Sequence, residues 1–285
     1  MRISSKFGSF FLLLFLLALT SPVAVLAQDG EKKDNTGTNP INFTYDARFY
    51  TEMSDLDFSN ASMLTNTFEF RAPLGKTAAN LGVVEGFFGD LGSKYALRAK
   101  FRHKTLSMDA ADGSPFGNAT VSGIGDLDVR FLAVPFVNSK YAIAGGVEAY
   151  LPTATHDALG DGKLSLVPQA FVGFFNLMGK NSIFVPGYLY AFDVAGDEDR
   201  ASVRQHKIDI YFVWLLAGMK NWLIINPQMN FDTENDTQIY LVDAEFGFMI
   251  PALPGTSTYI RPGVGIGEDR PFRWNFEFGF KFVWR

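Results

Sequence analysis

The last fourteen residues, Phe272-Arg-Trp-Asn-Phe-Glu-Phe-Gly-Phe-Lys-Phe-Val-Trp-Arg285, place an aromatic side chain at every even position from Phe272 to Trp284. The odd positions are mostly charged, polar or small, and they include Arg273, Glu277 and Lys281. Because successive side chains of a strand point to opposite faces, this segment predicts a β-strand with one aromatic and one mostly polar face. The class of protein then depends on whether the aromatic face meets a protein core or lipid.

The N-terminus indicates export. Arg2 and Lys6 precede the apolar run 10–19, and Ala27 ends a sequence that resembles a cleavage site, so residues 1–27 are typical of a secretory signal peptide. The alternative, a membrane anchor, is less favoured because the apolar run is short. Residues 28–40 have no aliphatic or aromatic side chain to bury and predict a disordered leader.

The composition narrows the class of protein. The chain has no cysteine, so an exported form is not stabilised by disulfides. Its formal net charge of -5 becomes -7 when Arg2 and Lys6 leave with the signal peptide, which argues against a nucleic-acid partner. The longest later apolar run, residues 210–217, is too short for a spanning helix, whereas 29 phenylalanines and 27 glycines favour strands and turns.

Twelve segments predict strands. The two-residue period is clear in residues 95–101, where Tyr95, Leu97 and Phe101 alternate with basic residues. The predicted strands are residues 42–52, 62–74, 93–105, 120–136, 140–152, 163–176, 182–195, 204–217, 221–232, 238–250, 258–266 and 272–285. A proline removes a ladder hydrogen bond, so prolines inside strands indicate bulges or changes of register. These prolines are Pro73, Pro135, Pro168, Pro186 and Pro227.

The connections between these strands alternate in character. Odd-numbered connections are rich in acids, as in residues 197–199 and 232–236, whereas four even-numbered ones are mostly tighter and contain no acid. Longer loops on one side and short turns on the other are typical of an outer-membrane barrel with both termini in the periplasm. Residues 75–92 are the exception, because this even-numbered connection is too long for a tight turn and could hold a short helix or a plug.

These features predict an all-β fold, in which residues 41–285 form a single antiparallel up-and-down transmembrane β-barrel of about 12 strands in the bacterial outer membrane. A soluble barrel or sandwich with the aromatic residues inside is the alternative, since periodicity does not show which solvent each face meets. In a membrane barrel the polar faces line the lumen. The candidate lining residues are Arg98, Lys100, Arg102, Asp126, Asp128, Arg130, Glu148, Asp243, Glu245, Arg273, Glu277 and Lys281.

Two interpretations of this charged lining stay open. Opposite charges can pair across the lumen and stiffen the barrel, or the basic residues Arg98, Lys100 and Arg102 can attract anionic or polar solutes into a channel. The interior of a twelve-stranded barrel is wider than that of a filled eight-stranded barrel and narrower than that of an open sixteen-stranded one. A narrow channel and a plugged barrel are therefore both compatible with the sequence.

Other kinds of site have less support. The acids of residues 197–199 and 232–236 suit divalent cations shared with lipopolysaccharide, although ordinary solvated loops have the same composition. We expect no cofactor, no metal site and no catalytic residue, because the spacings that such sites need do not occur. Ser202, His206 and Asp209 are the residue types of a hydrolase triad, but the sequence contains no Gly-x-Ser-x-Gly motif.

Six short motifs, four of which contain glycine, occur between residues 122 and 266. They are Ser122-Gly-Ile-Gly-Asp-Leu-Asp-Val-Arg-Phe131, Ala144-Gly-Gly-Val-Glu-Ala-Tyr-Leu-Pro-Thr153, Leu159-Gly-Asp-Gly-Lys163, Leu166-Val-Pro-Gln169, Trp222-Leu-Ile-Ile-Asn-Pro227 and Arg261-Pro-Gly-Val-Gly-Ile266. Together they resemble the family of outer-membrane transporters named for the MetA pathway of phenol degradation. The resemblance implies a barrel that passes small, often hydrophobic compounds and has no catalytic residues. Gly123, Gly125 and Asp126 match the family pattern best and look like a turn at the start of a strand.

The C-terminus departs from the usual pattern of outer-membrane barrels, which end on an aromatic residue that the assembly machinery reads. Here Arg285 follows Trp284.

From the predicted barrel, its charged lining and the family resemblance, we expect a passive channel or facilitator for small molecules, hydrophobic or aromatic ones included, and not an enzyme. The alternatives are a structural or surface-interaction barrel with a blocked lumen and an outer-membrane lipid or ester hydrolase. The expected partners are outer-membrane lipid, lipopolysaccharide, the barrel-assembly machinery and an unidentified small solute, with no nucleic acid.

Overall fold

Thirteen antiparallel strands pair into one sheet whose first and last strands meet. The computed structural model describes residues 43–57, 60–74, 95–109 and 118–284. The predicted signal peptide and leader, residues 75–92 and Arg285 lie outside the described residues. The strands are β1 Tyr45–Leu56, β2 Ala61–Pro73, β3 Tyr95–Met108, β4 Ala119–Ile124, β5 Leu127–Val137, β6 Tyr141–Leu151, β7 Lys163–Phe175, β8 Ser182–Gly196, β9 Arg204–Leu216, β10 Asn221–Asp232, β11 Thr237–Met249, β12 Thr256–Ile266 and β13 Phe272–Trp284.

The closed ring has twelve positions, which we call staves. β1 pairs with both β2 and β13, and β4 and β5 both pair with β3, so that β4 and β5 share one stave. The predicted class, an antiparallel barrel of twelve strands, is thereby confirmed with one extra strand. The predicted strand 120–136 is divided after Ile124. There the Asp126 carboxylate accepts hydrogen bonds from the backbone N–H groups of Thr153 and Asp161, at 3.0 and 2.7 Å, so the chain leaves the ladder to hold a neighbouring loop.

The outside of the barrel is apolar and the inside is polar. On β13, Phe276 and Phe278 are 41% and 43% exposed on the outer face, whereas Glu277 and Lys281 on the inner face are 3% and 2% exposed. Outward-facing phenylalanines on β1, β2, β3 and β11 continue the same apolar surface. This distribution is the reverse of that in a soluble protein, and it fits a barrel surrounded by lipid.

The start of β13 departs from the predicted alternation, which placed Phe272 outside and Arg273 inside. A β-bulge after Asp55 pairs Leu56 with Phe272 and leaves Arg273 as the extra residue. Phe272 packs against an inner cluster that contains Leu56, while Arg273 is exposed and donates to Asp55 at 2.7 and 2.8 Å. An inserted residue reverses the faces of its neighbours, so the bulge explains both differences.

Prolines inside the strands each interrupt one ladder. At Pro227 the pairing with β11 is continuous, while the pairing with β9 skips this position. Pro168 is paired continuously with β6 but not with β8, and Pro186 with β9 but not with β7. A residue's N–H group points to only one neighbouring strand, so its loss leaves the other ladder intact. The predicted bulge occurs at Pro135, between Ala133 and Phe136, whereas the predictions of a bulge or register change at Pro168, Pro186 and Pro227 were wrong.

The barrel has two different ends. The loop end carries the acidic connections 57–60, 109–118, 152–162, 197–203, 233–236 and 267–271, which have four to eleven residues. The terminal end carries the first residues of β1, the last of β13 and the turns 138–140, 176–181, 217–220 and 250–255, which have three to six residues. In the described ranges no helix is long and apolar enough to cross a membrane.

Candidate functional site

The barrel encloses a central cavity of about 620 Å³. Its lining comes from the inner faces of β1 to β3 and β5 to β13, together with Asp161 and Val203 from the loop end. The charges are distributed unevenly, because β1, β2, β3, β5 and β6 contribute five cations but only two carboxylates to the lining. We call this surface the basic wall, and it consists of Arg48, Glu69, Arg71, Arg98, Lys100, Arg130 and Glu148.

Carboxylates on and behind the basic wall hold several of its cations. Glu148 accepts a hydrogen bond from Arg130 Nε at 2.7 Å and also contacts Arg98. Asp128, which is fully buried behind the wall, lies 3.0 Å from Arg98 and also contacts Arg102. Buried charges need such pairing to offset their loss of hydration, so this part of the wall is a structural network.

Two cations of the basic wall are held more loosely. The Lys100 ammonium lies 3.5 Å from its nearest carboxylate oxygen, on Glu69, and the Arg71 guanidinium lies 3.5 and 3.7 Å from oxygens of Asp46 and Glu69. Neither side chain donates a hydrogen bond to any residue that the structure describes. The Nε atom of Arg98 is likewise buried without a partner in the described residues. The basic wall therefore has unused hydrogen-bond donors.

The opposite side of the cavity is rich in amides. We call it the amide wall, formed on β9, β10 and β11 by Gln205, Lys207, Asp209, Asn226, Gln228, Asn230 and Asp243. Its amide N–H donors have protein acceptors, since Gln228 Nε2 donates to Asn226 and Asp243, both at 2.8 Å, and Asn230 Nδ2 donates to Gln205 at 3.2 Å. In a ring of twelve staves β9 lies opposite β2 and β10 opposite β3, so the amide wall faces the basic wall.

The amide wall has unused acceptors. Oδ1 of Asp209 and Oδ1 of Asn230 are buried and accept no hydrogen bond from the described residues. The Lys207 ammonium lies 3.4 Å from the same Asp209 oxygen, and Asp209 itself is only 4% exposed. Asp243 receives its one side-chain hydrogen bond from Gln228 and has no cation among its described ion-pair partners. The two walls thus differ in both charge and hydrogen-bonding character.

A third cluster, which we call the lysine cage, consists of Trp222, Glu245, Tyr259 and Lys281. The Lys281 ammonium lies 4.7 Å from the ring centres of both Trp222 and Tyr259 and 2.8 Å from Glu245. Trp222 Nε1 donates to the same carboxylate at 2.6 Å, and Arg261 also contacts it. Cation–π contacts and paired charges satisfy this lysine without a ligand, so the cage is structural.

Apolar packing narrows the lumen at the terminal end. Phe43, which precedes β1, is buried against small side chains of distant strands, namely Ala96 on β3, Val134 on β5, and Ala142 and Ala144 on β6. The neighbouring cluster of β8 and β9 contains Ile183, Val185, Val213 and Leu215, and both clusters contact the same two phenylalanines of β7. Phe43 therefore reaches across this end of the lumen.

The loop 152–162 folds into the lumen at the loop end. Its Leu159 is 1% exposed and packs against Leu56, Ala61 and Leu106, which face inward on β1, β2 and β3. The Asp126 carboxylate fixes the loop by accepting three backbone N–H groups, from Thr153, Ala154 and Asp161.

Two cations hold the same loop through its backbone. Lys104 donates to the Leu159 carbonyl at 2.9 Å, and Arg200 donates to the Asp157 carbonyl at 2.8 Å. There is little room for a side chain below the loop, because a Cβ added at Gly125 would lie 3.2 Å from the Leu159 carbonyl oxygen and one added at Gly123 would overlap the Thr155 hydroxyl. The motifs at 122–131 and 159–163 therefore meet in space.

Most of the predicted lining residues face the cavity. Those that line it are Arg98, Lys100, Arg130, Glu148, Asp243, Glu245, Glu277 and Lys281. Arg102 and Asp128 form an ion pair beside the basic wall, and Asp126 is directed to the loop 152–162. Arg273 lies instead on the exposed rim with Asp55, because the bulge in the β1–β13 pairing displaces it.

The sequence interpretation missed inward-facing aromatic residues and one cation. Trp222, Tyr259 and Arg261 lie inside, although aromatic side chains were assigned to lipid. Strand parity contained the signal, since Tyr259 and Arg261 flank Ile260, which is exposed on the outer face. Parity alone would therefore have assigned Tyr259 and Arg261 to the inner face of β12. The assignment was missed because aromatic residues were expected to face lipid.

The three residues of the possible hydrolase triad, Ser202, His206 and Asp209, do not come together in the structure. Gln205, Lys207 and Asp209 face the cavity, so His206 lies on the other face of β9, where its Nδ1 is 2.6 Å from the Tyr188 hydroxyl. In the described residues no three His, Cys, Asp or Glu side chains are grouped closely enough to hold a metal ion. Asp232 instead accepts N–H groups of Glu234 and Asn235 at 2.9 and 3.0 Å, which makes it a turn residue.

Comparison with solved structures places the fold among outer-membrane channels. The chain is similar to the crystal structure of an outer membrane channel from Pseudomonas putida F1, with a TM-score of 0.64 and 12% identity over 92% of this chain and 100% of that one. It is also similar to the KdgM porin, with a TM-score of 0.52 and 8% identity over 84% of this chain and 99% of the porin. KdgM in complex with disordered oligogalacturonate gives a TM-score of 0.50 and 9% identity over the same shares.

These identities show similarity of fold alone. No protein-family model and no curated protein sequence matches the chain. Membership of the phenol-degradation family therefore stays a prediction from the motifs. The fold that the chain shares with these solved structures is that of a closed barrel found in outer-membrane channels and porins.

Proposed function

We propose that this protein is an outer-membrane channel through which small polar molecules pass without an energy source. The observation that carries the proposal is the inverted distribution of polarity, an apolar exterior around a cavity of about 620 Å³ that charged and amide side chains line. The charged lining favours polar solutes over the hydrophobic or aromatic compounds that the family resemblance implied.

The same proposal specifies an orientation. Cleavage after Ala27 would release a mature chain that the barrel-assembly machinery inserts, with the terminal end in the periplasm and the acidic loop end against lipopolysaccharide. We expect the mature protein to begin at Gln28, to fractionate with the outer membrane and to migrate differently on gels when heated. A mature protein recovered as a soluble periplasmic species would contradict the proposal.

Single-channel recording tests passage directly. Purified protein in planar bilayers is expected to give discrete conductance steps, and Gly173→Trp is expected to reduce them, because Gly173 lines the cavity. Val172→Trp on the same strand is the matched control, since it faces away from the cavity and should leave the conductance unchanged. Inserted, heat-modifiable protein that never conducts would exclude an ion-conducting channel.

The packing at both ends supports a second candidate, a structural barrel with a blocked lumen. Phe43 reaches across the terminal end, and Leu159 fills part of the loop end. If this candidate is right, the native protein is silent in bilayers while Phe43→Ala or Leu159→Ala opens a conducting path. Conductance steps from the native protein would reject it.

A further inference from the structure

We infer that the central cavity binds small zwitterions, with the ligand's carboxylate at Arg71 and Lys100 on the basic wall and its ammonium group at Asp209 and Asp243 on the amide wall. The inference rests on the proposed function, because it names the class of solute that the same cavity would accept. Polar groups of the lining that make no hydrogen bond to the described residues support it.

The unused groups are of opposite kinds on opposite walls. On the basic wall they are donors, namely Arg71, Lys100 and Arg98 Nε. On the amide wall the buried ones are acceptors, and Oδ1 of Asp209 is the most confined, on a residue that is 4% exposed. The Lys207 ammonium lies beside this oxygen, at 3.4 Å. Buried polar groups in proteins are almost always hydrogen-bonded, so two complementary sets that face one cavity indicate a ligand with an acceptor at one end and a donor at the other.

The charges select ions over neutral groups. Five cations and two carboxylates of the lining lie on the basic wall, whereas the amide wall itself carries two carboxylates, Asp209 and Asp243, and one cation, Lys207. A carboxylate is attracted to the first wall and repelled by the second, and an ammonium group experiences the reverse. A dianion or a dication therefore places one of its charges against a wall of the same sign.

Three probes with the same six-carbon chain separate these cases, namely 6-aminohexanoate, adipate and 1,6-diaminohexane. Their affinities for the full barrel are measured by calorimetry in detergent at fixed ionic strength, because screening weakens all three. We expect 6-aminohexanoate to bind at least about tenfold more tightly than either matched probe. Equal affinity of the three, or no binding of the zwitterion, would overturn the inference.

Two variants that each remove one charge assign the walls. Lys100→Gln should weaken the binding of 6-aminohexanoate and of adipate. Asp209→Asn should weaken the binding of 6-aminohexanoate and strengthen that of adipate, because it removes a charge of the same sign as adipate. Lys220→Gln is the matched control, because Lys220 is exposed in the turn 217–220 outside the cavity. Each variant is checked for heat-modifiable migration, and folded Lys100→Gln and Asp209→Asn proteins that bind all probes as the native protein does would contradict the assignment.

Failure of the inference and failure of the proposed function give different results. Calorimetry needs no ion current, so a silent barrel that still prefers the zwitterion would reject the channel and keep the binding site. A conducting barrel without that preference would keep the channel and reject the zwitterion. In a conducting barrel, 6-aminohexanoate should also interrupt the current at lower concentration than adipate or 1,6-diaminohexane.

Discussion

Lys281 shows how a single charge is stabilised inside the barrel. Its side chain is 2% exposed, and the ammonium group lies between the rings of Trp222 and Tyr259, with Glu245 at 2.8 Å. Removal of one partner from a buried pair leaves the other charge without full compensation, which is more costly than loss of the pair as a whole. The lysine and the carboxylate are therefore expected to be energetically coupled.

Replacement of this lysine should destabilise the barrel. Lys281→Met is expected to lower the free energy of unfolding by about 3 kcal/mol, because Glu245 keeps Arg261 at one carboxylate oxygen but loses the ammonium group at the other. Urea unfolding of protein refolded into lipid vesicles measures this difference. Lys140→Met in the exposed turn 138–140 is the control, and adding Glu245→Gln to Lys281→Met should recover part of the loss. Equal stability of Lys281→Met and native protein would contradict the coupling.

At the scale of elements, strand parity was sufficient to predict most of the barrel. The alternation in residues 274–282 and 95–101 predicted which side chains face outward, and the observed strands β3 and β13 follow it there. Parity failed at Phe272 and Arg273, because a bulge depends on the pairing of β13 with β1 and leaves no local signature.

The loop 152–162 could not be predicted because it is held by contacts distant in sequence. Asp126 had the appearance of a turn residue at the start of a strand, yet its carboxylate binds backbone groups 27 to 35 positions later. For the same reason, the sequence predicted the two cavity walls only in part. Parity identified Lys100 and Asp243 as inward-facing, but the position of one wall opposite the other follows from the closed ring.

The loop gives a prediction at this scale. Asp126→Ala removes an acceptor of three backbone N–H groups, and one hydrogen bond to a charged group contributes about 1.5–3 kcal/mol. Hydrogen exchange of the amides in residues 153–161 should therefore become more than about tenfold faster. Asp157→Ala changes an exposed acid of the same loop and should leave exchange unaffected. Unchanged protection in Asp126→Ala would show that Leu159, Lys104 and Arg200 suffice to hold the loop.

At the scale of the whole molecule, stability depends on the solvent that surrounds the barrel. Phe278 lies at the centre of β13 on the outer face and is 43% exposed, and Leu253 in the turn 250–255 is 53% exposed. In water, arginine at either position would be tolerated, because neither side chain is part of a core. In a bilayer the two positions differ, since only Phe278 would lie within the hydrocarbon region.

Phe278→Arg is therefore expected to lower the free energy of unfolding in lipid vesicles by about 2–4 kcal/mol, which is the cost of a cation near the bilayer centre on the outside of a barrel. Leu253→Arg is expected to change it by less than about 0.5 kcal/mol, as an exposed turn substitution does. Reversible urea unfolding of both variants and the native barrel in the same vesicles gives the comparison. Equal costs at the two positions would mean that the aromatic face of β13 does not meet lipid, and the outward orientation of the apolar surface would then require a protein partner instead.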